Sequence, residues 1–244
     1  MGSRYGVAAR WAALLMGFSA GAAHADAQDD AIRLKCPGAT AWEDNMRATH
    51  PELSDEARLA RDKTAHVSDP ALRDAIHTRF VADQAARKAW TDAGGTQDAG
   101  KIMMQSDTER LAWLKPRFAS QGFPTVAQVG YQGISEAFTL VQHATQDPGF
   151  QSSMLPAVTK AARADALPKG DVAMLTDRIL RLQGKPQRYG TQYISAAGDL
   201  QHMIPQPTED PAHVDERRAA MNLMPQKDYG CVLSVVYTPA GAAP

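Results

Sequence analysis

Residues 69–92 read DPALRDAIHTRFVADQAARKAWTD, and this stretch decides the class of fold. Asp69 before Pro70 is typical of a helix start, because aspartate accepts a hydrogen bond from the first turn and proline fits the first helical position. Behind this pair, apolar residues recur at helical spacing at Leu72, Ala75, Ile76, Phe80 and Trp90. The pattern predicts a long amphipathic helix.

Similar signals predict helices along most of the chain. Asp-Pro pairs occur again at 147–148 and 210–211, and Ser106 and Glu109 have the spacing of a capping box at a helix start. Apolar residues recur at helical spacing over 133–145 and 172–182. We therefore expect a mainly α protein with a bundle-like body.

The pattern changes near the carboxyl end. Two short runs separated by a turn, within 189–204, resemble a β-hairpin, and the β-branched run 231–237 predicts a strand. We expect a small hairpin or sheet on a single helical domain over 67–238. A helical extension over 26–66 precedes this domain, and a flexible tail over 239–244 follows it.

The first 25 residues have the pattern of a cleavable signal peptide. Arg4 and Arg10 precede a short apolar run over 11–20, and small residues surround the predicted cleavage position after Ala25. The run is too short to span a bilayer. We expect a periplasmic or secreted mature chain without an integral membrane span.

The amino-acid composition excludes several classes of protein and indicates no particular binding partner. The 244 residues are 44% hydrophobic, which excludes collagen-like and disordered chains. Lys and Arg number 26 against 27 Asp and Glu, so nothing indicates a nucleic-acid partner. No nucleotide or cofactor signature occurs, so we expect no cofactor, and the oligomeric state stays open.

The two cysteines are Cys36 and Cys231. In an oxidising compartment they can pair, and we favour a disulfide between them. Two separate thiols are the alternative, because sequence alone does not fix the distance between the two residues.

The densest group of polar residues lies at 187–192, after Asp177 and Arg178. We predict ligand binding by five residues: Arg178, Gln187, Thr191, Gln192 and Arg217. Their amides, hydroxyl and guanidinium groups suit a sugar or peptide, or a carboxylate or phosphate. Alternatively, the loop side chains hydrogen-bond their own backbone and the arginines pair internally.

His143 is the leading acid–base candidate, since its ordinary pKa lies near neutrality. Spacing of four residues would place Asp147 on the same helical face to orient the ring. We add Asp177 and Tyr189 as catalytic candidates. A hydrogen-bonded core histidine is the alternative, and no His-x-x-x-His or cysteine pair predicts a metal site.

Several of these residues together resemble a known family. The most specific part is Gln-x-Tyr-Gly-Thr-Gln at 187–192 after Asp177-Arg178, supported by Asp83-Gln84 and Gln142-His143. Over about 70–229 the chain resembles an uncharacterised bacterial family, domain of unknown function 6624. The resemblance implies a mostly helical domain and no established activity, so no catalytic role follows from it.

Two functions fit the sequence. The first is an exported enzyme that acts on a polar cell-envelope substrate, a glycan or peptide, with His143 as acid or base. The second is a non-catalytic binding protein that uses the 187–192 loop and nearby arginines for a small polar ligand or an envelope component.

Overall fold

The computed structural model describes residues 22–196 and 199–237. Most of the predicted signal peptide, residues 1–21, and the predicted tail over 239–244 lie outside the described residues. Within the described part, the chain is mainly helical and carries a two-stranded antiparallel sheet near the carboxyl end, so the predicted fold class is confirmed.

Ten α-helices occur in the described residues. They are α1 (Ala22–Lys35), α2 (Pro37–Thr49), α3 (Asp55–Thr64), α4 (Pro70–Asp92), α5 (Gln97–Gln121), α6 (Val126–Gln142), α7 (Pro148–Arg163), α8 (Lys169–Leu182), α9 (Val214–Ala220) and α10 (Gln226–Val236). Short 3-10 turns cover Pro51–Leu53 and Pro211–His213. Strands β1 (Tyr193–Ala196) and β2 (Asp199–Pro205) form the hairpin.

Two of the three Asp-Pro pairs start helices as predicted. The Asp69 carboxylate accepts a hydrogen bond from the Leu72 N–H at 2.9 Å, and Asp147 does the same for Phe150 at 2.9 Å. The third pair begins only a 3-10 turn, because Asp210 has a left-handed backbone (φ 39°) and its side chain does not cap the turn.

Two local predictions are wrong. Ser106 lies in the middle of α5, where its hydroxyl accepts a hydrogen bond from Arg110 instead of capping a helix start. The run 231–237 belongs to α10 and its end, not to a strand. Val232 and Leu233 are buried against α1 and α2, and this packing outweighs the β preference of the run.

The apolar interior forms two clusters. The larger cluster joins α4 to α8 around Ile76, Phe138 and Leu175. The smaller cluster packs α10 against α1 and α2, and there the disulfide Cys36–Cys231 links residues with Cα atoms 5.8 Å apart. The predicted disulfide is thus confirmed. Such bonds persist in oxidising compartments and are rare in the cytosol.

None of the helices in the described part of the chain combines the length and apolar character that a membrane crossing needs.

Candidate functional site

Charged side chains meet in the interior where α4, α5 and the end of α6 come together. Asp83 and Arg87 lie one turn apart on α4, Asp107 and Arg110 lie one turn apart on α5, and His143 caps the end of α6. All five are buried, and Asp83 is 0% exposed. We call this group the Asp83–His143 cluster.

The carboxylates and guanidinium groups of the cluster alternate. Asp83 Oδ2 lies 3.2 Å from Arg87 Nε, and Asp83 Oδ1 lies 3.0 Å from Arg110 Nη2. Asp107 Oδ1 pairs with Arg87 Nη2 at 2.8 Å and also with Arg110. Gln84 donates a further hydrogen bond to Asp83 Oδ2 at 2.8 Å. Asp83 is therefore fixed in position and held ionised.

The His143 ring is oriented by Asp83. Its Nδ1 lies 2.8 Å from Asp83 Oδ2 and 2.8 Å from Arg87 Nε. Two contacts compete for Nδ1, because Asp83 Oδ2 requires a proton there, whereas the Arg87 Nε–H directed at Nδ1 requires a lone pair. We assign the proton to Nδ1, and in this arrangement the Arg87 Nε–H donates to Asp83 Oδ2 at 3.2 Å. In this tautomer Nδ1–H donates to Asp83, and Nε2 carries a lone pair.

Burial and charge act on the two partners in different ways. Burial, with the Arg87 charge, lowers the pKa of His143 below its ordinary 6.5 despite the nearby Asp83. Burial alone would raise the pKa of Asp83, but His143, Arg87 and Arg110 outweigh it and hold that pKa well below its usual range. At neutral pH the pair is a neutral imidazole beside an ionised carboxylate.

Some polar atoms of this region lack a hydrogen bond. Within the described residues, His143 Nε2 and both side-chain amide atoms of Gln142 are buried without a partner. Buried polar atoms are nearly always paired, so each exception requires an explanation. His143 is 3% exposed, so Nε2 is held away from bulk water.

Arg178 on α8 belongs to the same region. Burial and the charge of Arg87 lower the pKa of Arg178 to about 10, and its charge in turn acts on His143. Tyr229 and Tyr237 also lie within reach of its charge. Among the described residues its buried Nε has no hydrogen-bond partner. The charge of Arg178 thus couples two of the predicted site residues, His143 and Arg178, electrostatically.

Asp177, the neighbour of Arg178, belongs to a different group that we call the Asp177 cluster. Its carboxylate, 0% exposed, accepts hydrogen bonds from the backbone N–H groups of Arg188, Tyr189 and Thr191 and from the Thr191 hydroxyl, at 2.6–3.0 Å. Burial raises the pKa of Asp177, and these donors offset part of that shift. Asp177 therefore fastens the 187–192 loop to α8.

The side chains of the two loop glutamines also form hydrogen bonds with protein groups. Gln187 Nε2 donates to the carbonyls of Gln192 and Gln206, and Gln187 Oε1 accepts from the Gln192 N–H. The Gln192 side chain donates to the Thr191 hydroxyl at 3.0 Å. These contacts favour the alternative in which the loop side chains satisfy their own backbone.

The predicted arginine at 217 also binds protein groups. Arg217 donates to the backbone carbonyls of Arg188, Glu209 and Asp210. Its neighbour Arg218 donates to the carbonyls of Met224, Tyr189 and Gly190. Tyr189 therefore joins this network through its backbone, on both its N–H and its carbonyl.

Asp147 does not orient His143, so that prediction is wrong. The helix predicted over 133–145 ends at Gln142, and a turn separates it from α7, which places the two side chains on different elements. Asp147 caps α7 and pairs with Lys115.

Sequence reasoning missed Asp83, Asp107 and Arg110 as site residues. A usable signal was present, because Asp83 and Arg87 continue the buried stripe of Leu72 and Ile76 along α4. Charged residues on an apolar stripe must be paired inside the protein or serve a function. No group of three His, Cys, Asp or Glu side chains suited to a metal ion occurs in the described part of the chain.

Comparison with known proteins gives one match. A search of curated proteins and a search of solved structures returned no match. The family described as "Family of unknown function (DUF6624)" matches residues 70–239. The match extends ten residues beyond the expected 229 and takes in α10. It covers both clusters and more than half of the chain, which therefore belongs to the DUF6624 family.

Proposed function

We propose that the protein is an exported enzyme that uses His143 as a general base on a polar cell-envelope substrate, a glycan or peptide. One observation carries the proposal. His143 Nε2 is buried and unpartnered among the described residues, while Nδ1 is held by Asp83 at 2.8 Å. An imidazole fixed on one side by a carboxylate and without a hydrogen-bond partner on the other is suited to proton transfer.

The chemistry follows from the tautomer. Nε2 takes a proton from a water or a substrate hydroxyl, and the imidazolium that forms is stabilised by ionised Asp83. Arg87 and Arg110 keep Asp83 ionised and in position. Because burial lowers the pKa of His143, the base is unprotonated at neutral pH and ready to accept.

Nuclear magnetic resonance tests the tautomer directly. We expect the ¹⁵N signals of His143 at pH 7 to show a neutral ring protonated on Nδ1, with a pKa below 6.5. His213 is the control, because it pairs with Asp210 at the same 2.8 Å but at the surface. The hydrogen bond and charge of Asp210 raise its pKa above 6.5. A His143 ring protonated on Nε2 contradicts the proposed base.

Turnover tests the function. Mature protein is incubated with peptidoglycan fragments and envelope glycans, and the products are followed by mass spectrometry. We expect H143Q to lose about 100-fold or more of the turnover and H213Q to lose none. Turnover by H143Q at the wild-type rate contradicts the proposal.

Export is part of the proposal. The signal-peptide pattern over 1–25 and the disulfide Cys36–Cys231 support it. Expression in a Gram-negative host should give a periplasmic protein whose mass shows an amino terminus at Asp26. An uncleaved cytoplasmic product contradicts export. The non-catalytic alternative stays a prediction, and the internal contacts of Gln187 and Thr191 do not favour it.

A further inference from the structure

Four other arginines near the two clusters already have partners. Arg87 and Arg110 pair with Asp83 and Asp107. Arg217 and Arg218 donate to backbone carbonyls, as described above. Arg178 differs from all four, because no hydrogen bond or ion pair of its guanidinium occurs among the described residues, and its Nε is buried.

The charges around Arg178 do not balance. Three guanidinium groups, of Arg87, Arg110 and Arg178, share the region with two carboxylates, of Asp83 and Asp107. His143 adds no charge, because burial lowers its pKa. These five side chains therefore carry one net positive charge, and Arg178 forms no ion pair among the described residues. Such a charge is costly inside a protein unless a ligand offsets it.

Arg178 is also held in place for binding. It follows Asp177, whose hydrogen bonds to Arg188, Tyr189 and Thr191 fix that turn of α8. The side chain is half-buried, so part of it reaches the surface while Nε points inward. Because the turn of helix that carries Arg178 is fixed, less freedom is lost when its side chain binds a ligand.

Other groups near Arg178 add polar contacts. The Tyr229 hydroxyl is buried and has no partner in the described part of the chain, and Tyr229 lies within reach of the Arg178 charge. Burial raises the pKa of Tyr229, so its hydroxyl keeps its proton as a donor. His143 Nε2 is also unpartnered among the described residues, and the Arg178 charge contributes to the lowered pKa of His143.

We propose that Arg178 binds an oxyanion of the substrate, a carboxylate or a phosphate, and so delivers the reacting group to His143. A planar guanidinium binds either oxyanion through two parallel hydrogen bonds. The oxyanion supplies the negative charge that the region lacks. This inference rests on the proposed function for the role of His143, whereas the anion site itself does not depend on it.

Anion binding is measured with simple probes. Acetate and inorganic phosphate are titrated separately into the mature protein at millimolar concentrations, with chloride at matched ionic strength as the control. Binding is followed by the ¹⁵Nε signal of Arg178 and by thermal unfolding. We expect one of the two oxyanions to shift the ¹⁵Nε signal of Arg178 and to raise the unfolding temperature, since a ligand that binds the native state stabilises it. The probe that binds identifies the class, carboxylate or phosphate.

Variants separate this inference from the proposed function. We expect R178M to bind the probe at least about tenfold more weakly, whereas the exposed-arginine control R163M binds as the wild type does. H143Q should keep anion binding and lose turnover. Binding unchanged in R178M, or no binding of either probe to the wild type, overturns the anion site. Anion binding without His143-dependent turnover refutes the proposed function alone.

Discussion

Two buried polar clusters lie beside each other in this protein and differ in how fully their atoms are paired. In the Asp177 cluster, the carboxylate receives four donors from the loop it holds. In the Asp83–His143 cluster, the carboxylates are paired, but His143 Nε2 has no partner among the described residues. A fully paired cluster stabilises a fold, and one with unpaired atoms gives up stability for function.

The largest effect is expected at Asp177. In D177N, one carboxylate oxygen becomes an NH₂ group that faces backbone N–H donors, so buried donors lose their acceptor. We expect a loss of about 3 kcal/mol in the free energy of unfolding, measured by urea denaturation. A loss below about 1 kcal/mol would show that the loop does not depend on this carboxylate.

A smaller effect is expected at His143. H143Q removes the hydrogen bond to Asp83, but Arg87, Arg110 and Gln84 still hold that carboxylate. We expect a loss of about 1 kcal/mol in the same denaturation experiment. A loss as large as that of D177N would make His143 a structural residue and remove the contrast between the clusters.

The difference in the free energy of unfolding between the wild type and H143Q should depend on pH, and this dependence reports the protonation of His143. Burial lowers the pKa of His143 in the folded protein, so between that pKa and 6.5 the unfolded chain binds more protons. The stability of the wild type relative to H143Q should therefore fall as pH drops below 6.5, by less than about 1.4 kcal/mol per pH unit. Urea denaturation of both proteins at pH 7.5, 6.5 and 5.5 measures this difference in the free energy of unfolding. A difference that increases as the pH falls contradicts the lowered pKa of His143.

The smallest effect is expected at Arg178, one residue from Asp177. R178M removes an unpartnered charge and keeps much of the side-chain packing. We expect the free energy of unfolding to stay within about 0.5 kcal/mol of the wild type or to rise. A loss of more than about 1 kcal/mol would reveal a stabilising contact of Arg178 and weaken its assignment to a ligand.

Periodicity and capping residues account for most of the correct fold predictions. Asp69 and Asp147 start helices because their interactions are local, within three residues. The β-branched residues of 231–237 favour a strand, whereas contacts with α1 and α2, almost 200 residues away, decide the conformation of this run. Sequence patterns report local preferences well and distant packing poorly.

The poor prediction of distant contacts also explains why the candidate site was only partly predicted from the sequence. The chemistry of histidine predicts a role for His143, but its partner Asp83 lies 60 residues earlier in the chain, and helical spacing indicates the nearer Asp147 instead. The polar loop at 187–192 was conspicuous because its residues are adjacent, yet the structure uses them on one another. The density of polar residues along the chain predicts ligand binding there, whereas the Asp83–His143 cluster combines side chains from three separate helical elements.

The disulfide has a consequence for the order in which the molecule is completed. Cys231 follows Cys36 by 195 residues, so the bond cannot close until nearly every helix has been synthesised. The helix that it fastens, α10, carries Tyr229, which lies within reach of the Arg178 charge. In the described part of the chain α10 is the last helix, so Tyr229 joins the anion site that we propose only after the other helices have been synthesised, and the disulfide then links α10 to the start of α2.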